Sequence, residues 1–284
     1  MTEKIETWTI RKVLDWTKSY LADKGVDNAR LESEWLLAAI TGHDRVGLYV
    51  NYDQPLTDAE LANYRSMVAR RAKREPLQYI LGTQEFYGVE FEVSPAVLIP
   101  RHDTEVLVME ALQRAPQAKT VLDIGVGSGC IALALARSLP EADVCGVEKS
   151  PEALKLAQRN AEHLGVRVTL CEGSLFEPFL GQRFDLVVSN PPYIPTADLA
   201  GLQPEVRDYE PLGALDGGAD GLDFYRAIIA SASQHLNPGG WLMVEVGIDQ
   251  SMAVRELFAA TGFTEIFIAR DPQQIERVVG GKII

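Results

Sequence analysis

The chain has little cysteine, few and scattered histidines, no long apolar run and no surplus of positive charge. Each shortage removes a class of protein. Cys130, Cys145 and Cys171 are the only cysteines, an odd count at spacings that match no metal motif. Each lies in or beside an apolar run, so they read as reduced core thiols rather than a disulfide framework. His43, His102, His163 and His235 lie far apart in the chain, and no metal site is expected from them. No stretch approaches the ~18–20 apolar residues of a membrane span. The opening Met1-Thr2-Glu3-Lys4-Ile5-Glu6 has no apolar segment of the kind a secretion signal carries. These features lead us to expect a cytoplasmic protein without membrane attachment.

The shortage of positive charge is uneven. The chain carries 27 Lys+Arg against 40 Asp+Glu, a net charge of −13. Residues 1–75 hold 12 of each sign, so the whole excess falls in residues 76–284, with 15 basic and 28 acidic side chains. Nucleic-acid backbones are gripped mainly by Lys and Arg. Direct nucleic-acid binding is therefore not expected, and a protein or small-molecule substrate is favoured. An apolar content of 46% and a charged content of 24% suit a globular protein, and 284 residues suffice for one large domain or two ordinary ones.

What is present falls into three parts. Residues 1–75 repeat apolar side chains at helical spacing: Ile10, Val13, Leu14, Trp16, Thr17 and Leu21, then Leu31, Trp35, Leu36 and Ile40. Thr57-Asp58-Ala59-Glu60 has the form of a capping box, with Leu61, Tyr64 and Met67 behind it. A small helical bundle is expected, with Trp8, Trp16 and Trp35 in its core. The basic run Val68–Arg74 reads either as a solvated helix face or as a docking patch for an acidic partner. Residues 76–100 hold short β-like pieces punctuated by Gly82, Gly88 and Pro95, a hairpin linking two domains. Phe86 and Tyr87 in it read as packing residues. From residue 101 a helix is expected over about His102–Arg114, followed by strands and helices in alternation. The strands are expected at Val121–Ile124, Val144–Val147, Val166–Leu170, Phe184–Ser189 and Trp241–Val246, with two more at Glu265–Ile268 and Glu276–Val279. Continuous apolar strands between amphipathic helices specify a largely parallel sheet covered on both faces. Asp103 and Glu105 read as helix-start charges in preference to catalytic acids.

Two stretches carry chemistry. Asp123-Ile124-Gly125-Val126-Gly127-Ser128-Gly129 ends a strand and opens a helix. Glycines there let the backbone approach a ligand, and the helix start offers free N–H groups. The spacing is neither that of a dinucleotide fingerprint nor that of a phosphate-binding P-loop. Glu148 ends the next strand, where a carboxylate can hold both hydroxyls of a ribose. The second stretch, Asn190-Pro191-Pro192-Tyr193, follows the strand Phe184–Ser189. Prolines fix φ and donate no N–H, and the residue before a proline is held extended. The motif thus offers the Asn190 side-chain oxygen and backbone carbonyls to a planar NH2 group, beside the flat face of Tyr193. A nucleoside loop plus an NH2-accepting motif indicates S-adenosylmethionine. NAD would suit the loop alone, but a dehydrogenase has no use for Asn190-Pro191-Pro192-Tyr193.

With these residues in view, the sequence resembles the bacterial peptide chain release factor N5-glutamine methyltransferase family along nearly its whole length. The resemblance runs through Glu75-Pro76-Leu77-Gln78-Tyr79-Ile80-Leu81-Gly82, Phe86-Tyr87 and Leu98-Ile99-Pro100-Arg101-His102-Asp103-Thr104-Glu105. It continues through the glycine loop, Val188–Ile194, Tyr209-Glu210-Pro211 and Leu215–Gly221. It departs at His102, where the family has proline, and at Ser174, where an acidic residue is frequent. The resemblance implies a seven-stranded, Rossmann-like methyltransferase domain over residues 101–284, a linking hairpin over 76–100 and a substrate-docking helical bundle over 1–75. It implies that Asp123, Gly125, Val126, Gly127, Ser128, Gly129, Glu148, Leu175 and Asn190 hold S-adenosylmethionine. Asn190, Pro191, Pro192 and Tyr193 would hold the glutamine of a release factor, with Asn190, Pro191 and Tyr193 closest to the transfer itself. Other acceptors for the same apparatus are a ribosomal-protein glutamine and a nucleic-acid amino group, the latter needing a basic groove and an unpaired base. A donor-binding scaffold without catalysis is a further reading, against which the intact Asn190 motif stands.

Overall fold

A computed structural model describes residues 7–284. The chain divides into two compact units. One comprises the residues up to Gly82 together with Pro204–Tyr209; the other comprises Thr83–Gln203 and Glu210–Ile284.

The first unit is helical: α1 (Ile10–Asp23), α2 (Ala29–Thr41), α3 (Arg45–Val50), α4 (Asp58–Arg71) and α5 (Leu77–Leu81). Local chemistry sets the ends. The Thr9 side chain caps α1, Thr57 and Glu60 complete the capping box of α4, and Gly42 closes α2 in the left-handed conformation. The core joins Ile10, Leu21, Leu36, Leu37, Leu48, Tyr64, Val68 and Ile80. Because Ile80 of α5 is part of that core, the helical unit runs on to Gly82, past the boundary expected near residue 75. Two of the three tryptophans expected in the core lie outside it. Trp16 is 51% and Trp35 46% exposed, the first stacked on Tyr20 and the second beneath the Arg45 guanidinium. Both sit on the flank of an apolar stripe, where helical spacing alone does not separate rim from core.

The basic run is solvated only in part: Lys73 is exposed and Arg70 partly so, whereas Arg71 is buried and paired. Arg71 is 4% exposed and bonds Glu32 and Glu205; Arg74 pairs with Glu205, and Arg70 with Glu75. Glu205 lies on α9 (Pro204–Tyr209), and the Tyr209 hydroxyl donates to the Lys73 carbonyl at 2.7 Å. A six-residue segment from far along the chain thus completes the helical unit.

The second unit opens with a hairpin, β1 (Thr83–Phe86) and β2 (Val89–Glu92), antiparallel with Phe86 opposite Val89. Tyr87 and Gly88 at its tip both have positive φ, the two-residue turn whose twist suits paired strands. Phe86 and Phe91 are fully buried in the core of this unit, and the Asn160 side chain bonds both the N–H and the carbonyl of Glu92. The hairpin is therefore packed into the second unit.

A seven-stranded sheet follows: β3 (Thr120–Ile124), β4 (Asp143–Glu148), β5 (Thr169–Glu172), β6 (Phe184–Ser189), β7 (Leu236–Glu245), β8 (Thr264–Arg270) and β9 (Glu276–Lys282). Its order is β5-β4-β3-β6-β7-β9-β8, with β9 antiparallel to β7 and β8 and the other pairs parallel. The Val166–Leu170 strand is displaced. Gly165 caps the preceding helix, Val166 and Val168 pack on the core without pairing, and pairing with β4 begins only at Thr169. Pro238-Gly239-Gly240 lies inside β7, which starts at Leu236 instead of Trp241, and the register with β6 shifts between Phe184 and Leu186.

Strand residues alternate between two cores. Val121, Leu186, Val188 and Met243 face α6 (Glu105–Arg114) and α7 (Cys130–Ser138); Leu122, Val187, Leu242 and Val244 face α10 (Asp223–His235) and α11 (Ser251–Ala260). A further helix, α8 (Pro151–Leu164), has Ser150 as its N-cap and Pro151 in its first turn. No helix of the described residues is long and apolar enough to cross a membrane. Chain order reverses at β3, with β4 and β5 to one side and β6 and β7 to the other. The carboxyl ends at such a reversal form the usual ligand crevice of an α/β sheet.

Candidate functional site

The glycine loop leaves the carboxyl end of β3. Gly125 and Gly127 have φ of +80° and +55°, and a side chain added at either would meet nothing within 4 Å. The loop's outer side is thus open, while its inner side is pinned: Gly125 and Val126 donate to the Val147 carbonyl at 2.9 and 3.1 Å. Val126 is buried against Gly146, where a Cβ would come within 2.4 Å of it. Gly129, also at positive φ, opens α7.

Glu148 ends β4 with both carboxylate oxygens anchored by backbone. Oε2 accepts from the Gly127 N–H and Oε1 from the Ser150 N–H, each at 2.9 Å. Asp123 is fully buried. Its Oδ2 accepts from Ala132 N–H at 3.1 Å, and Oδ1 has no hydrogen-bond partner among the described residues. Burial, reinforced by the Glu148 charge, pushes its carboxyl up to about 7. Ser128 is buried and its carbonyl accepts from Asn160 Nδ2 at 2.8 Å. Leu175, past the end of β5, holds φ at +52°, a conformation that costs a branched side chain energy and collects at functional sites.

Asn190 follows β6 at the same edge. The Ser189 hydroxyl donates to the Ile124 carbonyl at 2.7 Å, fastening the end of β6 to the end of β3. Asn190 Nδ2 donates to Thr104 Oγ1 at 3.2 Å, and Thr104, in the short turn before α6, is 2% exposed. Pro191 is buried, and Pro192 and Tyr193 are half-buried. The backbone behind the motif is held closely. Gln250 Nε2 donates to the Tyr193 carbonyl at 2.8 Å, and Ile194 pairs with Leu215 and Gly217 through backbone bonds of 3.0 and 2.8 Å. A side chain at Gly217 or Gly221 would strike the Tyr193 backbone at 2.8 or 2.3 Å, which explains the glycines of Leu215–Gly221. Burial and the neighbouring Glu245 charge push the Tyr193 hydroxyl up to about 12.

Several members of this cluster escape a sequence reading. Glu245, 2% exposed, ends β7 beside the Asn190 motif, and burial pushes its carboxyl up to about 7. The Thr104 hydroxyl, Arg277 and the Asn190 amide favour its charged form, and Asp103 opposes it. Arg277 of β9 bonds Asp103 at 2.6 Å and Asp271 at 2.8 Å. Glu105 accepts from the Tyr87 N–H at 3.0 Å and contacts His102, so Asp103 and Glu105 both serve as anchors. The one sequence signal for Glu245 is a lone carboxylate at the end of the apolar strand Trp241–Val244. Gln250 offered none, and Thr104 was marked only as part of the stretch Leu98–Glu105 that carries the family resemblance.

Comparison with known proteins agrees with this arrangement. A family profile described as PrmC N-terminal domain matches residues 12–82, and one described as methyltransferase small domain matches residues 102–200. A release factor glutamine methyltransferase of Geobacter sulfurreducens is 71% identical over 283 residues, covering all of both chains. One from Moorella thermoacetica is 46% identical over 89% of this chain and 91% of its own. Among solved structures, a methyltransferase from Pyrococcus furiosus shares the fold, with a TM-score of 0.55 at 19% identity over 75% of this chain and 98% of that one. The chain is a member of the release factor glutamine methyltransferase family.

Proposed function

We propose that this protein moves a methyl group from S-adenosylmethionine to the side-chain amide nitrogen of the glutamine in the Gly-Gly-Gln loop of peptide chain release factors, in the cytoplasm. The observation that carries this reading is the junction of the two stretches at one sheet edge: Ser189, the residue before Asn190, is bonded to Ile124, the residue before Gly125. An amide-accepting motif and an open glycine loop are thereby brought side by side.

The residues present suit the donor. In this reading the open side of Gly125–Gly129 receives its methionine part, and Asp123, whose Oδ1 has no partner among the described residues, answers the donor's cationic groups. Glu148, its orientation set by two backbone N–H groups, takes the ribose hydroxyls. Leu175 lies along the adenine. When bound, S-adenosylmethionine supplies a sulfonium methyl, an electrophile that needs no further activation.

The amide nitrogen is a poor nucleophile because its lone pair is shared with the carbonyl. Asn190 Oδ1 and the Pro191 carbonyl accept its two N–H bonds, fixing its position and favouring the positive charge that grows on nitrogen. Pro192 and Tyr193 wall the pocket, and the proton leaves to water or a carbonyl after transfer. The helical unit docks the protein substrate, and its exposed Trp16, Trp35, Val46 and Val50 offer apolar contact. Nucleic acid takes no direct part.

The test is transfer of labelled methyl to purified release factor, with ribosomal protein and RNA as parallel acceptors. Label on the release factor, lost when its Gly-Gly-Gln glutamine is replaced, is the expected result; label only on RNA or ribosomal protein overturns the substrate. Asn190→Ala is expected to slow transfer at least ~100-fold with donor affinity little changed. Near-normal turnover in that variant removes the role given to Asn190.

A further inference from the structure

Asn190 can serve as an acceptor only if its side-chain amide points the right way. An amide is nearly symmetric in shape, and turning it over presents two N–H donors where one oxygen is needed. The substrate nitrogen also presents N–H donors, so the wrong orientation sets donor against donor. Something in the protein must distinguish the two ends.

We infer that Glu245, working with Thr104, is a positioning residue that fixes the Asn190 amide with its nitrogen inward and its oxygen toward the substrate. The inference deepens the proposed reaction and rests on Asn190 being the acceptor in it.

Sheet geometry brings these groups together. The parallel register pairs Ser189 of β6 with Val244 of β7, so the next residues along, Asn190 and Glu245, leave the sheet edge side by side. Thr104 approaches from the turn before α6, and its Oγ1 receives Asn190 Nδ2 at 3.2 Å. A hydroxyl that accepts through oxygen has its own proton free to give, and the Glu245 carboxylate stands beside it to receive it. An ionised carboxylate has no donor. The part of Asn190 that faces Glu245 is therefore the NH2 group, and the amide's donors are directed into the protein. Oδ1 is left for the substrate. Glu245 is 2% exposed and its Oε2 has no hydrogen-bond partner among the described residues. A buried carboxylate in that state is costly to keep.

Arg277 of β9 and the Thr104 and Asn190 donors favour the carboxylate; Asp103 in the turn before α6, Tyr193 past β6, Tyr225 of α10 and Cys130 of α7 also face it. With the carboxyl lifted to about 7, acid converts it into a donor able to hold the Asn190 oxygen instead of its nitrogen. Transfer then slows as pH falls through 7, because the amide loses its fixed sense.

The experiment is single-turnover methyl transfer to full-length release factor at saturating substrate, on both sides of pH 7. The variants are Thr104→Val, Thr104→Ser, Glu245→Gln and Asn190→Ala with and without Glu245→Gln. Thr104→Val and Glu245→Gln are expected to slow transfer about 10–100-fold with donor affinity unchanged. Thr104→Ser should keep the wild-type rate, Glu245→Gln should lose the fall on the acid side, and Glu245→Gln should cost nothing further in the Asn190→Ala background. A wild-type rate and pH profile in Glu245→Gln, or full additivity with Asn190→Ala, overturns the positioning role. If thermal melts find Glu245→Gln unfolded, Thr104→Val, which keeps the carboxylate, carries the same comparison. Wild-type transfer to release factor with unaffected variants removes this inference alone, whereas no wild-type transfer removes the substrate reading on which it stands.

Discussion

At the scale of single residues, the site is built around carboxyl groups kept where water is not. Asp123 is the clearest, fully buried with one oxygen bonded and the other without a partner among the described residues. Its carboxyl rises from 3.8 to about 7 because burial penalises the charge and Glu148 adds a like charge nearby. A raised native value means that folding favours the protonated form, so this group's contribution to stability is complete below its unfolded value and is lost as pH rises through 7. Asp123→Asn keeps an acceptor for the Ala132 N–H and carries no charge. Donor-free protein with that substitution is expected to gain on wild type by about 1–3 kcal/mol between pH 4 and pH 8. Paired thermal melts at the two pH values measure it, and an equal difference at both shows that Asp123 is ionised in the fold at no cost. A bound donor should shrink the effect, since a cation beside Oδ1 favours the charge.

At the scale of elements, much was legible because strands and glycine turns are local. The apolar runs at Val121, Val144, Phe184 and Trp241 announced β3, β4, β6 and β7, and the glycines after Ile124 announced an open loop at a strand end. The failures were non-local. Val166 and Val168 read as strand by their pattern, yet they pack on the core and leave pairing to Thr169–Glu172, a matter of register with β4 that no local pattern records. Trp16 and Trp35 lie at helical spacing but on the rim. Glu245 and Thr104 come from segments far from Asn190 in the chain and meet it only through the sheet. The basic run was the most misleading, because its partner Glu205 is 134 residues from Arg71. That pairing makes a prediction for the helical unit. Arg71→Ala leaves Glu32 and Glu205 facing each other without their shared cation, and breaking a buried ion pair from one side costs about 3–5 kcal/mol. Residual exposure of the two glutamates and the remaining Arg74 reduce this to about 2–4 kcal/mol. Chemical denaturation followed by tryptophan fluorescence reads the change, and an unaffected midpoint shows the network to be surface decoration.

At the scale of the whole molecule, the deciding quantity is where charge is carried. The net −13 belongs entirely to residues 76–284, which contain every residue of the proposed transfer site. Of the basic side chains in the helical part, Arg70, Arg71 and Arg74 are already engaged with Glu75, Glu32 and Glu205, which lowers the attraction they can exert on a phosphate. An amino-methyltransferase for nucleic acid faces the opposite requirement: a polyanion must be gripped firmly enough for one base to be drawn out of its stack. The proposed substrate, a protein loop ending in a neutral amide, needs no such grip. Purified protein is therefore expected to bind ribosomal RNA more weakly than the ~10⁻⁴ M floor of ordinary non-specific association at physiological salt. Methyl transfer to release factor should likewise be untouched by added RNA. Fluorescence anisotropy with labelled RNA, alongside the transfer assay with RNA as competitor, measures both. Micromolar, salt-sensitive RNA binding together with inhibition of transfer would mean that the acidic unit conceals a basic track beside Asn190. The choice of acceptor would then rest with the nucleic acid and not with the glutamine.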